Sequence, residues 1–229
     1  MVGREFGATG VKVPVIGQGT WQLGRDGLEA LRTGIELGMT HLDTAEMYTG
    51  SEEIIAEAIR GIRNRIFLVS KVLPSNASYK GTLRACDASL KRLRTESLDV
   101  YLLHWWSGSH PIEETMRAME ELVAAGKVRY IGVSNFEVDR LKQAQKALTR
   151  EKITCNQVIY HLRSRAVENH VLPFCESQNR LFAVRSRRFS FAGKQTGKSA
   201  PNDRGSSRKD AASSRAEFSH SPQQLVRDL

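Results

Sequence analysis

Four side chains of complementary chemistry occupy regular places in the first half of the chain: Asp43, Tyr48, Lys71 and His104. Three directly follow an aliphatic or β-branched run. Asp43 comes after His41-Leu42, Lys71 after Phe67-Leu68-Val69-Ser70, and His104 after Tyr101-Leu102-Leu103, while Tyr48 lies five residues beyond Asp43. These types suit the reduction of a carbonyl group. A carbonyl that accepts hydride gathers negative charge on oxygen and needs a proton donor beside it, with further donors to stabilise it. A tyrosine, with an ordinary pKa of about 10, serves as that acid near neutral pH only beside a cation. Lys71 supplies the cation, Asp43 keeps the lysine charged in apolar surroundings, and His104 offers an imidazole N–H to the same oxygen. No metal is needed in this division of labour.

Further polar residues stand at equivalent places. Ser134 and Asn135 follow Ile131-Gly132-Val133, and Asn156 and Gln157 lie within a sixth apolar run. Glu46, Glu52, Glu53, Glu113 and Glu114 read as charges on helix surfaces or in first helical turns.

The elements that must carry these residues alternate in the α/β manner. Apolar runs at residues 13–16, 39–42, 66–69, 98–103, 128–133 and 153–159 predict strands. Amphipathic stretches at 27–38, 51–60, 79–93, 112–125, 137–148 and 167–177 predict helices, with Ser51 as a cap of the second and Gly126 as the stop of the fourth. Six such units at roughly 30 residues each match the economy of a (β/α)8 TIM barrel. The expected fold is therefore an incomplete TIM barrel of about six βα units. The active groups of such a barrel sit at the C-terminal ends of its strands, where these residues fall.

The net charge of +9 is unevenly placed. Residues 180–229 hold eight Arg and three Lys against three Asp and one Glu, a net +7, which leaves the body at +2. The reading divides the chain into a partial barrel at 1–184 and an Arg/Ser-rich tail at 185–229, expected to be disordered and basic. One apolar run, 181–184, is placed to begin a seventh strand. Cys86, Cys155 and Cys175 are far apart and unaccompanied by histidines at ligand spacing, so three buried, reduced thiols are expected. With no apolar run near 20 residues and no secretion-signal pattern, the expectation is a cytoplasmic protein without membrane contact. Oligomeric state leaves no mark in the sequence.

A resemblance sharpens this reading. Ile16-Gly17-Gln18-Gly19-Thr20-Trp21, Asp43-Thr44-Ala45-Glu46-Met47-Tyr48, Val69-Ser70-Lys71-Val72, Leu102-Leu103-His104-Trp105, Ile131-Gly132-Val133-Ser134-Asn135-Phe136 and Asn156-Gln157 resemble, in order, the strand-end motifs of the aldo-keto reductases. The stretch from Lys71 to Ala77, with Ser107-Gly108-Ser109, resembles the bacterial branch that includes methylglyoxal reductases. The resemblance implies a catalytic tetrad of Asp43, Tyr48, Lys71 and His104, with Tyr48 as general acid. It implies cofactor contacts at Gly19, Thr20, Asp43, Ser134, Asn135 and Gln157, the last three holding the nicotinamide carboxamide. It places Trp21, Tyr48, His104 and Trp105 at the substrate. NADPH is the implied cofactor, with NADH as the alternative, no metal is implied, and the implied partner is a small carbonyl substrate.

The resemblance weakens at two short loops, after Trp21 and between Tyr48 and Ser51, either of which would shift a catalytic group. It stops near Asn179. Members of the family continue with an aromatic-Ser-Pro segment that stacks on the nicotinamide and an eighth-strand loop that holds the adenosine phosphate, and neither follows here. Codons for Ser186-Arg187-Arg188-Phe189, read one frame over, encode a hydrophobe followed by Ser-Pro-Phe or Ser-Pro-Leu, which makes a frameshift the expectation for the tail. A barrel short of two units is expected to fold poorly and to hold its cofactor weakly, so impaired carbonyl reduction is the function implied. The competing reading is a non-catalytic fragment or binding protein whose basic tail contacts nucleic acid. The tail offers charge but few aromatics and no recognition motif, which disfavours nucleic acid.

Overall fold

The computed structural model describes residues 2–24 and 26–178, together with the backbone of 181–185. The expected tail therefore lies outside the described residues except at Arg185.

Seven parallel strands, in chain order, form one sheet. They are β3 (Gln18–Gly19), β4 (His41–Asp43), β5 (Phe67–Val72), β6 (Leu98–Leu103), β7 (Val128–Ser134), β8 (Ile153–Ile159) and β9 (Leu181–Arg185). Helices α1 (Gly27–Glu36), α2 (Ser51–Ala58), α3 (Tyr79–Leu93), α4 (Ile112–Ala124), α5 (Val138–Lys146) and α6 (Val171–Ser177) fill the crossovers. This is the (β/α) barrel order, with six strand–helix units and a seventh strand. Among the described residues no ladder joins β9 back to β3. The run at 181–184 does form a strand, paired with β8 from Cys155↔Leu181 to Ile159↔Arg185.

Both faces of the central strands are buried, which explains their continuous apolar character. Tyr101 and Leu103 on β6 pack outward among the helices, in a core that includes Leu31, Ile35, Ile55, Met116, Leu122 and Leu141. Val100 and Leu102 point the other way, into the barrel interior with Phe67, Val69 and Cys155. A hairpin of β1 (Gly3–Glu5) and β2 (Lys12–Pro14) closes that interior from below by burying Phe6 and Val13 against the same residues.

The hairpin overturns one expectation. The run at 13–16 is not the first barrel strand. Val13 belongs to the antiparallel hairpin, Val15 and Ile16 are 48% and 57% exposed, and the barrel begins with the two-residue β3. Ser51 is likewise not a cap. Gly50, at φ 76°, occupies that position, and the Ser51 hydroxyl donates instead to Thr20 O at 2.8 Å. Gly126, at φ 70°, does follow the end of α4 in the left-handed conformation.

Glu52 does lie in the first turn of α2, one of its two expected places, but it is not a surface charge. It is 1% exposed on the sheet-facing side of α2. Ser70 Oγ donates to its Oε1 at 2.7 Å, and Arg92 Nε on α3 pairs with its Oε2 at 2.6 Å. A buried carboxylate needs such partners, and these lie 18 and 40 residues away in the chain. The three cysteines are free and buried, as expected. Burial pushes the Cys86 and Cys155 thiols up to about 12.

Candidate active site

The C-terminal ends of β4 to β8 bring the expected residues together. Lys71 is fully buried, with Nζ 2.7 Å from Asp43 Oδ1 and donating to Thr44 O at 2.7 Å. Gln157 Nε2, on β8, donates to the other carboxylate oxygen, Asp43 Oδ2, at 2.7 Å. Burial alone would raise the Asp43 carboxyl. The Lys71 charge and hydrogen bond, with the Gln157 amide, outweigh it and hold the group below its ordinary range.

Tyr48 is buried, and its hydroxyl lies 3.5 Å from His104 Nε2. The two rings meet edge-on at 5.7 Å between centroids, and Lys71 Nζ stands 5.4 Å from the centre of the Tyr48 ring. The short loop between Tyr48 and Ser51 thus leaves the tyrosine within reach of His104. His104 N donates to Val72 O, which carries the β5–β6 ladder up to the histidine. Trp105 stacks edge-on against His104 at 5.0 Å and is 37% exposed; Trp21, after β3, is 46% exposed.

The remaining expected residues have distinct placements. Gly19 pairs with Asp43, and the space where a Cβ would project from it is open. Thr20 is fully buried, with its hydroxyl donating to Asp43 O at 3.0 Å, so it braces the aspartate backbone. Ser134 is buried. Asn135, at φ 60°, donates through Nδ2 to His104 O at 3.2 Å and to Ser134 Oγ at 3.0 Å. Gln157 Oε1 is buried and has no hydrogen-bond partner among the described residues. The orientation of that amide follows from chemistry, because a carboxylate accepts only and the NH2 group must face Asp43. Asn156 turns away and pins the β7–α5 loop, accepting from Phe136 N and donating to Phe136 O.

Sequence reasoning missed Glu46. It is no helix-surface charge. Its carboxylate accepts from Leu73 N and from Asn76 Nδ2, beyond the end of β5. The signal was its place in the loop between Asp43, the last residue of β4, and Tyr48. Among the described residues no group of three or more His, Cys, Asp or Glu is arranged to hold a metal ion, and no helix is long and apolar enough to cross a membrane.

A parallel βα barrel with a buried lysine paired to a half-buried aspartate, and a tyrosine–histidine pair, at its strand ends is the arrangement the sequence resemblance implies. The model of the Aldo/keto reductase family matches residues 15–221, and the chain belongs to that family. Methylglyoxal reductase YeaE of Escherichia coli is 48% identical over 176 residues, covering 73% of this chain and 62% of that protein. Glyoxal reductase of Bacillus subtilis is 35% identical over 173 residues, covering 74% and 61%. An aldo-keto reductase of Klebsiella pneumoniae, solved in complex with NADPH, superposes with a TM-score of 0.73 at 44% identity over 80% of this chain and 67% of that one. The chain thus spans about three-fifths of the length of these curated relatives.

Proposed function

We propose that the chain is an NADPH-dependent reductase of small aldehydes and dicarbonyls, with Tyr48 as the general acid. The observation that carries this reading is the convergence of the Tyr48 hydroxyl and His104 Nε2, 3.5 Å apart, beside the ion pair of the buried Lys71 with the half-buried Asp43. When bound, the cofactor supplies hydride to the carbonyl carbon.

The residues present fit the nicotinamide group. Gln157 Oε1 is a buried acceptor lacking a partner among the described residues, and a carboxamide NH2 would satisfy it. Ser134 and Asn135 lie at the end of the neighbouring strand and would hold the other side of that amide. Gly19, with no side chain over open space, lets the cofactor approach the backbone closely.

Two donors aimed at one oxygen bind and polarise the substrate carbonyl. The Tyr48 hydroxyl passes its proton to that oxygen as charge develops, and His104 Nε2 steadies it with a second hydrogen bond. Loss of the proton leaves a tyrosinate, which the nearby Lys71 ammonium stabilises. Asp43 and Thr44 O hold that ammonium in place, so its field is directed before the reaction begins. Trp21 and Trp105, both half-exposed, provide apolar walls suited to a small carbonyl compound. The kinship with a methylglyoxal reductase and a glyoxal reductase supports dicarbonyls as the class.

The test is NADPH consumption by the purified chain with methylglyoxal, beside Tyr48→Phe. The expected result is turnover in the parent and a loss of about 10²- to 10⁴-fold in kcat in the variant, the usual contribution of a positioned proton donor. Turnover that survives the substitution would refute Tyr48 as the acid, and a parent with neither turnover nor NADPH binding would refute the whole reading.

A further inference from the structure

We propose that Glu46 is a positioning residue that fixes the proton donor Tyr48 against Lys71 by continuing the β4–β5 ladder in side-chain form. The inference rests on the carbonyl-reductase reading.

The ladder can be followed bond by bond. Asp43 pairs with Val69 as the last partners of β4 and β5. Beyond them Thr44 N donates to Val69 O, and Glu46 N donates to Lys71 O at 3.2 Å. There the backbone pairing ends, because Tyr48 N turns inward to Ala45 O and the loop folds toward α2. The Glu46 carboxylate then takes over. Oε1 accepts from Leu73 N, two residues past Lys71, and Oε2 accepts from Asn76 Nδ2 at 3.0 Å.

The placement has a mechanical consequence. Lys71 lies in β5 and Tyr48 in the loop after β4, so their separation depends on how the loop is fastened to the strand. Above the Glu46 amide the carboxylate fastens the loop to Leu73 and Asn76, beside the contact of Lys71 Nζ with the Tyr48 ring at 5.4 Å. The turn it grips is itself anchored. Thr82 Oγ1 donates to Asn76 O, and Thr115 Oγ1 donates to Ala77 O, which tie the turn to α3 and α4. Glu46 therefore references the tyrosine to the helical shell as well as to the lysine strand. A carboxylate suits the task because its two oxygens accept from two donors at once.

The experiment compares the full chain with Glu46→Ala, Glu46→Gln and Asn76→Ala, reading kcat and KM for methylglyoxal, NADPH binding, and amide hydrogen exchange of the loops. Displacement of a reacting group by an ångström costs on the order of 100-fold, so Glu46→Ala should lose about 10- to 100-fold in kcat. NADPH affinity should stay within about twofold, because the carboxylate faces the loop and not the nicotinamide subsite. Glu46→Gln should recover most of the rate, since its carbonyl still accepts from Leu73 N and the Asn76 amide can turn its own oxygen to the new NH2 group. Asn76→Ala should show a smaller loss. A Glu46→Ala variant with kcat within about twofold of the parent, or a Gln variant no better than Ala, would overturn the proposal. If the parent shows no turnover, the reductase reading fails by itself and exchange decides the fastening. The Leu73 amide should then exchange about tenfold faster in Glu46→Ala and not in Glu46→Gln, and equal rates would overturn it.

Discussion

Gln157 Nε2 and Asp43 Oδ2 lie 2.7 Å apart although 114 residues separate them in the chain, and their bond ties β8 to β4 across the barrel interior. Its NH2 group holds the aspartate that holds Lys71, and its oxygen is buried with no hydrogen-bond partner among the described residues.

Gln157→Leu should separate these roles from mere packing. The substitution keeps an apolar body of similar size and removes both hydrogen-bonding atoms. A hydrogen bond to a charged or buried group contributes about 1–3 kcal/mol, so NADPH affinity should fall by roughly 5- to 150-fold. Fluorescence titration with NADPH measures it, and an unchanged affinity would separate Gln157 from the cofactor.

The Lys71–Asp43 pair sets a pH signature. The Asp43 carboxyl is held below its ordinary value in the folded chain, chiefly by Lys71 once the opposing effect of burial is overcome. A depressed folded value means that the group stabilises the fold above the unfolded carboxylate pKa of about 4, and that this stabilisation is lost as pH falls through the folded value. Asp43→Asn leaves a fully buried ammonium without its counter-charge and should cost about 3–5 kcal/mol near neutral pH. Urea denaturation at stepped pH should show the parent and variant converging below about pH 4. A gap that stays constant across that range would exclude Asp43 as its origin.

Much of this was legible because burial writes itself into sequence in particular ways. Residues 98–103 and 153–159 coincide with β6 and β8 because both faces of each strand are covered, leaving unbroken apolar runs. The residues proposed as reactive stood out because a barrel presents polar groups at strand ends, and Asp43, Lys71 and His104 each interrupt such a run. The first barrel strand was hidden by its length. Gln18–Gly19 has neither periodicity nor apolar content, while the neighbouring run at 13–16 has both and belongs partly to the hairpin. Glu52 and Glu46 were hidden for another reason. A glutamate in a first helical turn or a loop normally faces water, and only the partners Arg92, Ser70, Leu73 and Asn76 reveal otherwise.

Gly132 is demanded by close approach. A Cβ there would lie 2.7 Å from Cys155 O, from Cys155 Sγ and from Leu102 Cδ2, at the register shift between β7 and β8. Gly132→Ala should destabilise the chain by about 1–3 kcal/mol through overpacking. Adding Cys155→Ala removes the sulfur and leaves the carbonyl, so it should recover part of the loss. Denaturation midpoints of the three chains test this, and full additivity of the two substitutions would mean that the contact carries no strain.

Glu52 and Arg92 make a further prediction through their unequal burial, at 2% and 33% side-chain exposure. Arg92→Met frees the carboxylate from its cation while Ser70 Oγ still donates to it, and breaking a buried pair costs about 3–5 kcal/mol when one charge is left behind, less here because Arg92 reaches water. Replacing both, as Glu52→Met with Arg92→Met, removes the stranded charge and should be milder than Arg92→Met alone. A double variant less stable than the single one would show that the pair contributes beyond avoiding an unpaired carboxylate.

The thiols report on barrel opening. Cys155 lies in the interior among Phe67, Val69, Val100 and Leu102, below Gln157, and burial raises its thiol to about 12. Reaction with a thiol reagent requires a thiolate in contact with solvent, so Cys155 should label only when the interior opens, by parting of its strands or by lifting of the β1–β2 hairpin. Cys86, also raised to about 12, waits on the helical layer instead, since it packs between α3 and the outer face of the sheet. In the native chain both should label slowly, and both should label fully in urea. NADPH, if Gln157 and Ser134 hold it as proposed, stabilises the closed arrangement of β7 and β8 and should slow Cys155 more than Cys86. Mass spectrometry of peptides labelled over time resolves the two sites. Equal slowing at both would mean that the cofactor stabilises the chain as a whole, and no slowing at either would place its contacts away from these strands.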